Sequence, residues 1–269
     1  VLEKVRDKVG VDFSQYRDTT LRRRLSRRMV ANNCTDLEAY SSLLDSDQRE
    51  YGSLLSDFSI KYTEFFRDPW VFDIMRDRVL PDIIRKKTER GIELAIWSAG
   101  CATGEEAYSL ASLAGQVAGC DGSRAYVLGT DMDPGAIAIA RSGNYLKTIL
   151  PALPDRGMGD DFIDSGTLIT VSPLLRERVS FHMHDVTSDT AVESLRRIRP
   201  ERFDLVVCRN VLIYLQKPAQ ARVVAACLES LNPEGFLVLG TGETMPKPLE
   251  GCVTAFDLKA RIYRKILMP

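Results

Sequence analysis

The chain divides by the period of its apolar positions. Up to about residue 90 they recur at helical spacing, glycines are few and no alternating strand pattern stands out, so this part reads as all-α. Within it, TTLRRRLSRRM sets Leu21, Leu25 and Met29 four apart as one apolar stripe. Arg22, Arg23, Arg24, Arg27 and Arg28 cover the remaining faces of that helix as a basic surface. After Gly91 the period changes. ELAIWS, AYVLGTD, VSFHMHD, FDLVVCR and GFLVLG are short β-rich runs. Helical patterns separate them, from Gly104 to Ala118, Pro134 to Arg141, Thr190 to Ile198 and Pro218 to Leu231, the last stopped by Asn-Pro-Glu-Gly.

Such alternation predicts an α/β fold with a parallel sheet. TAFDLKARIYRKI reads as two tightly joined strands that put an antiparallel strand at the sheet edge. The stretch from Tyr145 to Arg178 breaks the alternation, is rich in Pro, Gly and Asp, and holds one strand-like piece, TLITV. It reads as a small insertion. The expected organisation is an all-α N-terminal domain over 1–75 and an α/β domain over 76–269, with 145–178 inserted in the latter.

Composition narrows the class of partner. With 269 residues and 45% hydrophobic content, the chain can bury a sizeable core. Lys and Arg number 36 against 37 Asp and Glu, so no summed field favours nucleic acid or an anionic membrane. No apolar run approaches the roughly 20 residues of a membrane span, and VLEKVRDKVG has no apolar signal-peptide core. A cytoplasmic location is expected. Six scattered cysteines without a CxxC pair read as reduced core residues. His182 and His184, without a further Cys or His nearby, read as structural, and no metal is expected.

Four strand ends carry the candidate chemistry. In ELAIWSAGCATGEEAYSLA a buried strand meets a loop of small residues, Ser98 to Gly104, and then a helix N-terminus, a turn that lets a ligand approach the backbone. The spacing is not GxGxxG, and Glu105 and Glu106 would repel a pyrophosphate, so a cationic, phosphate-free nucleoside such as S-adenosylmethionine fits better than NAD or ATP. The next strand ends in GTDMDP. Asp131 there can accept two ribose hydroxyls, while Asp133, followed by Pro134, reads as a helix cap. Asp185 ends VSFHMHD, where it can accept an adenine amino group or cap the helix after it. FDLVVCRNVLIYL brings Arg209, Asn210 and Tyr214 to a fourth strand end, with polar groups facing the crevice.

At this point the sequence resembles a known family, the CheR chemoreceptor glutamate methyltransferases, over nearly its whole length. The resemblance rests on YTEFFRD (Tyr62 to Asp68), WSAGCATGEEAYSLA (Trp97 to Ala111), TDMDPGAIAIARSGNY (Thr130 to Tyr145) and CRNVLIYL (Cys208 to Leu215), in the family's order. It implies a Rossmann-like S-adenosylmethionine-dependent methyltransferase fold behind a small helical domain. It also implies that Thr63 and Arg67 reach the cofactor from the N-terminal side, and that Ala99, Gly100, Glu106, Asp131, Met132, Asp185, Val186, Asn210 and Val211 form its pocket. Arg67 and Tyr214 would lie nearest the transferred methyl. Two positions depart from the usual pattern: Lys61 and Asp185 stand where the family usually, or often, has asparagine.

The resemblance further implies a substrate, the cytoplasmic methylation helices of chemoreceptors, docked on Arg22, Arg23, Arg24, Arg27 and Arg28 by charge complementarity. The expected products are glutamate γ-methyl esters and S-adenosyl-L-homocysteine. Two rivals stay open on sequence alone: a methyltransferase of the same fold with another substrate, and a non-catalytic S-adenosylmethionine-binding regulator.

Overall fold

A computed structural model describes residues 1–59, 63–88, 93–118, 125–147 and 161–266. The chain opens with helices α1 (Leu2–Val9), α2 (Asp18–Ala31), α3 (Leu37–Ser46) and α4 (Arg49–Phe58). Gly10, at φ 78°, ends the first, and the Asp36 carboxylate, accepting from the Ala39 N–H, starts the third. Val5, Phe13, Tyr40, Leu44, Leu54 and Phe58 form their shared interior. Leu21 is buried in it, and Leu25 and Met29 pack against it, so the four-residue stripe is the inner face of α2.

That inner face also draws in arginines. Arg28 makes a two-pronged ion pair with the buried Glu50, at 2.8 and 2.6 Å, and the Tyr40 hydroxyl donates to the same carboxylate at 2.6 Å. Arg24 donates to the Asp57 carbonyl oxygen, and Arg27 pairs with the Asp57 carboxylate. Arg22 and Arg23 are exposed. The arginines of α2 therefore divide between holding α4 and facing solvent, because positions four apart on a helix share a face.

Next come α5 (Pro69–Ile74), a π-helical turn over Met75–Val79 and α6 (Leu80–Thr88). A seven-stranded sheet follows, built from β1 (Leu94–Ala99), β2 (Ala125–Asp131), β6 (Val179–Met183), β7 (Phe203–Cys208), β8 (Leu231–Leu239), β9 (Val253–Asp257) and β10 (Ile262–Lys265) in the order β6-β2-β1-β7-β8-β10-β9. The first five in that order run parallel, β10 runs antiparallel to β8, and β9 antiparallel to β10. Helices α7 (Glu105–Ala118), α8 (Pro134–Ser142), α10 (Ala191–Ile198) and α11 (Lys217–Ser230) join the parallel strands. The chain moves outward from β1 through β2 to β6 and then returns to place β7 on the other side of β1. That reversal is the switch point beside which such sheets bind ligands.

Both faces of the sheet are covered. Side chains alternate along a strand, so Leu94 and Ile96 face α5, α6 and α7, while Ala95 and Trp97 face the opposite way. On that second face, Trp97, Leu128 and Val206 belong to the same apolar cluster as Phe13 and Phe58. The N-terminal helices are thus fused to the sheet by shared core.

Two details differ from the sequence reading. The segment expected only to stop a helix, Asn-Pro-Glu-Gly, lies inside β8: Phe203 pairs with Leu231 and Leu205 with Phe236, and the surplus residues bulge outward through Glu234 at φ 60°. The insertion, expected to hold one strand, forms a three-stranded antiparallel sheet of β3 (Asn144–Leu146), β5 (Leu168–Val171) and β4 (Phe162–Asp164), followed by the short helix α9 (Pro173–Arg176). Positions 148–160 of it lie outside the described residues. Cys34, Cys101, Cys208, Cys227 and Cys252 are free thiols. Among the described residues no helix is long and apolar enough to cross a membrane.

Candidate functional site

The turn from β1 into α7 is built around glycines that nothing else could replace. Gly100 has φ +74°, and a Cβ there would stand 2.6 Å from Cγ2 of Val211. The Gly100 and Cys101 N–H groups donate to the Thr130 carbonyl oxygen at 2.8 and 2.9 Å, which locks the turn to the end of β2. Asp131 completes the lock: one carboxylate oxygen accepts from the Ala102 N–H and the other from the Asp133 N–H, each at 2.9 Å. Asp133 does the separate job expected of it, capping α8 by accepting from the Gly135 and Ala136 N–H groups.

Asp185 does not cap the following helix, whose N-cap is Thr190. Its Oδ1 instead accepts from the Thr187 N–H at 2.8 Å and the Thr187 hydroxyl at 2.6 Å, which fixes the carboxyl in the turn after β6. A cleft opens over these turns. Gly100, Asp131, Met132, Asp185, Val186, Asn210, Val211 and Tyr214 all line it. Asn210 enters it through a left-handed backbone at φ 61°.

Ala99, Glu106, Thr63 and Arg67 are not in the cleft lining. Ala99 is fully buried at the end of β1. Glu106 lies behind the turn, accepting from the Ser98 hydroxyl at 2.8 Å and facing Arg209 at 3.5 Å. Burial raises its carboxyl above the usual range, and Arg209, Ser98 and Arg67 pull it back. Thr63 and Arg67 are half-buried on the segment before α5, and Lys61 lies outside the described residues. Arg209, expected in the crevice, turns inward: its side chain is 1% exposed and its Nη2 donates to Asp68 at 2.6 Å. A guanidinium at that strand end has the part-exposed Asp68 carboxylate and the buried Glu106 carboxylate within reach, and a cation taken out of solvent needs such partners.

Tyr16 lines the same cleft, and no strand-end motif points to it. Its hydroxyl donates to the Met132 sulfur at 3.6 Å, a weak acceptor. Burial raises its phenol, and the charges of Asp185 and Asp131 raise it further, so the hydroxyl lies within the field of both acids. Tyr16 pairs with Leu215 in an antiparallel bridge, and the Arg17 N–H donates to the Tyr214 carbonyl oxygen at 2.9 Å. The segment leading into α2 is therefore fastened to the loop carrying Tyr214. Glu243 was also missed; its carboxylate accepts from the N–H groups of Gly240, Asn210 and Ile213 at 2.6, 3.1 and 3.2 Å.

His184 is built into the fold, its Nε2 at 2.9 Å from the Ala191 carbonyl oxygen and its ring edge against Trp97. Among the described residues no group of three or more His, Cys, Asp or Glu side chains could hold a metal ion.

Glu105, the neighbour of Glu106, titrates unusually. It is 5% exposed, and burial pushes it from the ordinary 4.5 up to about 7, against the pull of the Thr103 hydroxyl. The folded state holds its proton more tightly than the unfolded chain, so ionising Glu105 costs stability as pH rises from 4.5 towards 7. Glu105→Gln is expected to raise the melting temperature at pH 8, by up to about 3 kcal/mol of stability, and to add nothing at pH 4. Thermal melts of both proteins across that range decide it; an equal gain at both pH values would refute the titration.

The residues fit a nucleoside carrying a positive charge. Two carboxylates and an amide stand at successive strand tips, a glycine leaves room for close approach, and a third carboxylate is buried behind the turn. The Rossmann-like sheet and this arrangement of polar groups suit a nucleoside methyl donor such as S-adenosylmethionine.

Comparison with known proteins gives the family. Residues 61–257 match the SAM-binding domain of CheR methyltransferases and residues 1–59 match their all-alpha domain. The chain belongs to the CheR methyltransferase family, and S-adenosylmethionine is its cofactor. It is 29% identical to a chemotaxis protein methyltransferase of Listeria monocytogenes, over 91% of this chain and 89% of that one. It is 35% identical to an uncharacterized 104.1 kDa protein of Rhodobacter capsulatus over 87% of this chain, and spans only 24% of that longer protein. A solved magnesium protoporphyrin IX methyltransferase from Synechocystis, with bound S-adenosylmethionine, aligns with 74% of this chain and 81% of its own at 13% identity and a TM-score of 0.38.

Proposed function

We propose that this chain esterifies glutamate side chains on the cytoplasmic methylation helices of chemoreceptors, giving γ-methyl esters and S-adenosyl-L-homocysteine, and that it works in the cytoplasm. The relatives named as chemotaxis methyltransferases support this reading. The observation that carries it is where the basic helix meets the cleft: the N–H of Arg17, one residue before α2, donates to the Tyr214 carbonyl oxygen at 2.9 Å. An acidic helix lying along the exposed Arg22 and Arg23 is thereby delivered to the Tyr214 side of the cleft.

The cofactor, when bound, supplies a methyl group on a sulfonium. Asp131 would accept hydrogen bonds from its ribose hydroxyls and Asp185 from its adenine amino group, while Glu106 would act on its ammonium end from behind the turn. A substrate glutamate, with an ordinary pKa of about 4.3, is already ionised at neutral pH, so no side chain has to remove a proton. Arg67 orients that carboxylate, and Tyr214 borders the reacting end. Anion and cation combine into neutral products, so a site that strips water from both gains rate.

Incubation with radiolabelled S-adenosylmethionine and receptor-enriched membranes is expected to label the receptor, and mild base to release the label as methanol. Label that resists base, or that appears only on nucleic acid or a small molecule, would contradict the glutamate assignment.

A further inference from the structure

Arg67 sits between two residues in a backbone conformation that side chains resist: Phe66 has φ 53° and Asp68 has φ 57°. Such a turn persists only where its surroundings hold it. Phe66 is held on one side, because its ring is buried against Phe72 and its N–H donates to the Ser109 hydroxyl at 3.0 Å. The other side is the more telling. Asp68 is the N-cap of α5 and is followed by Pro69, the position where an aspartate ordinarily accepts from the first N–H groups of the helix. Asp68 makes no such bond. Its carboxylate turns away and takes the buried Arg209 guanidinium at 2.6 Å.

Arg209 is itself placed from three sides. Its guanidinium lies 5.7 Å from the centre of the Phe72 ring, reaches Glu106 at 3.5 Å, and is carried at the end of β7, one residue before Asn210. One buried cation therefore joins the segment bearing Arg67, the carboxylate behind the cofactor turn and the strand end that delivers Asn210. Burying an arginine this deeply is unfavourable unless its partners are held in good geometry, so the arrangement is rigid once formed.

We infer that Arg209 is a positioning residue that aims Arg67 by clamping Asp68 in its left-handed turn, with Glu106 as the clamp's second anchor. This rests on the reading of Arg67 as the residue that orients the substrate carboxylate. Arg209 touches neither substrate nor methyl group in this account; its effect on turnover passes through Arg67. A displacement of about 1 Å in an orienting group lowers turnover by up to about a hundredfold.

A double-mutant cycle tests it, using the full chain and methyl transfer to receptor-enriched membranes. Asp68→Asn keeps the shape of a side chain that is one-third exposed, and Arg209→Lys keeps the buried charge but loses the two-sided reach; thermal melts of both variants confirm that they fold. Each is expected to lower kcat about tenfold, with KM for S-adenosylmethionine within about threefold, since the clamp orients rather than binds. In an Arg67→Ala background, where turnover has already fallen, the same replacements are expected to change kcat by less than about twofold. Full multiplicative losses in that background would overturn the clamp, as would wild-type kcat in Asp68→Asn. Unchanged turnover in Arg67→Ala alone would instead remove the role of Arg67, and the clamp's purpose with it.

Discussion

Replacing Asp131 with alanine is expected to weaken S-adenosyl-L-homocysteine binding by about a hundredfold or more. The carboxylate is assigned two ribose hydroxyls, and hydrogen bonds to a charged group contribute about 1.5–3 kcal/mol each. It also holds the Ala102 and Asp133 N–H groups that shape the turn, so its loss loosens the pocket as well as removing the acceptor. Asp133→Ala, two residues away, is the internal comparison. It removes a helix cap, so the expected result is a loss of about 1 kcal/mol of stability with binding nearly intact. Calorimetric titrations and thermal melts of the two variants separate these roles; equal losses of affinity would mean that Asp131 acts only through the fold.

The second large effect is expected at Glu243, which is 3% exposed and gathers the N–H groups of Gly240, Asn210 and Ile213 around one carboxylate. Glu243→Ala leaves these donors buried without an acceptor, at about 1–3 kcal/mol for each one left unsatisfied. A fall in melting temperature of roughly 10 °C follows for a chain of this size. Because Asn210 and Val211 line the cleft from the same loop, affinity for the cofactor is expected to fall with stability. A variant that melts like the wild type would show that the loop is held by other contacts. Burial raises the Glu243 carboxyl although the three N–H groups favour its charged form, so the fold accepts an unfavourable charge in order to fix the loop.

How much of this was legible in the sequence follows from the range of the forces involved. β1 and β7 could be read because every residue in each is buried, and a run apolar on both faces is the mark of a central parallel strand. Asp131 and Asp133 could be told apart because capping is a local act: Pro134 announces the helix, and Asp133 stands where its first N–H groups need an acceptor. Asp185 could not be settled that way. Whether it caps a helix depends on where that helix begins, and the observed start at Ala191 leaves Asp185 to the turn before it.

What stayed hidden is long-range pairing. Tyr16 meets a sulfur 116 positions away, and Arg209 meets a carboxylate 141 positions away. No period or spacing encodes either. The arginines of α2 illustrate the same limit: their positions on the helix were readable, but that Arg28 faces Glu50 required α4 to be in place. The bulge in β8 was hidden for a related reason, since Pro and Gly normally end an element, and here the neighbouring strand carries the pairing across them.

The central claim is that the strand-tip acids, closed over by Tyr16 from the N-terminal helices, bind adenosine joined to a charged sulfur. Calorimetric titration of the purified chain with S-adenosylmethionine and with S-adenosyl-L-homocysteine tests it most directly. The expected result is one site per chain for each ligand, with affinity lost in Asp131→Ala and kept in Asp133→Ala. No heat of binding and no shift in melting temperature with either ligand, even at roughly millimolar concentration, would contradict the account.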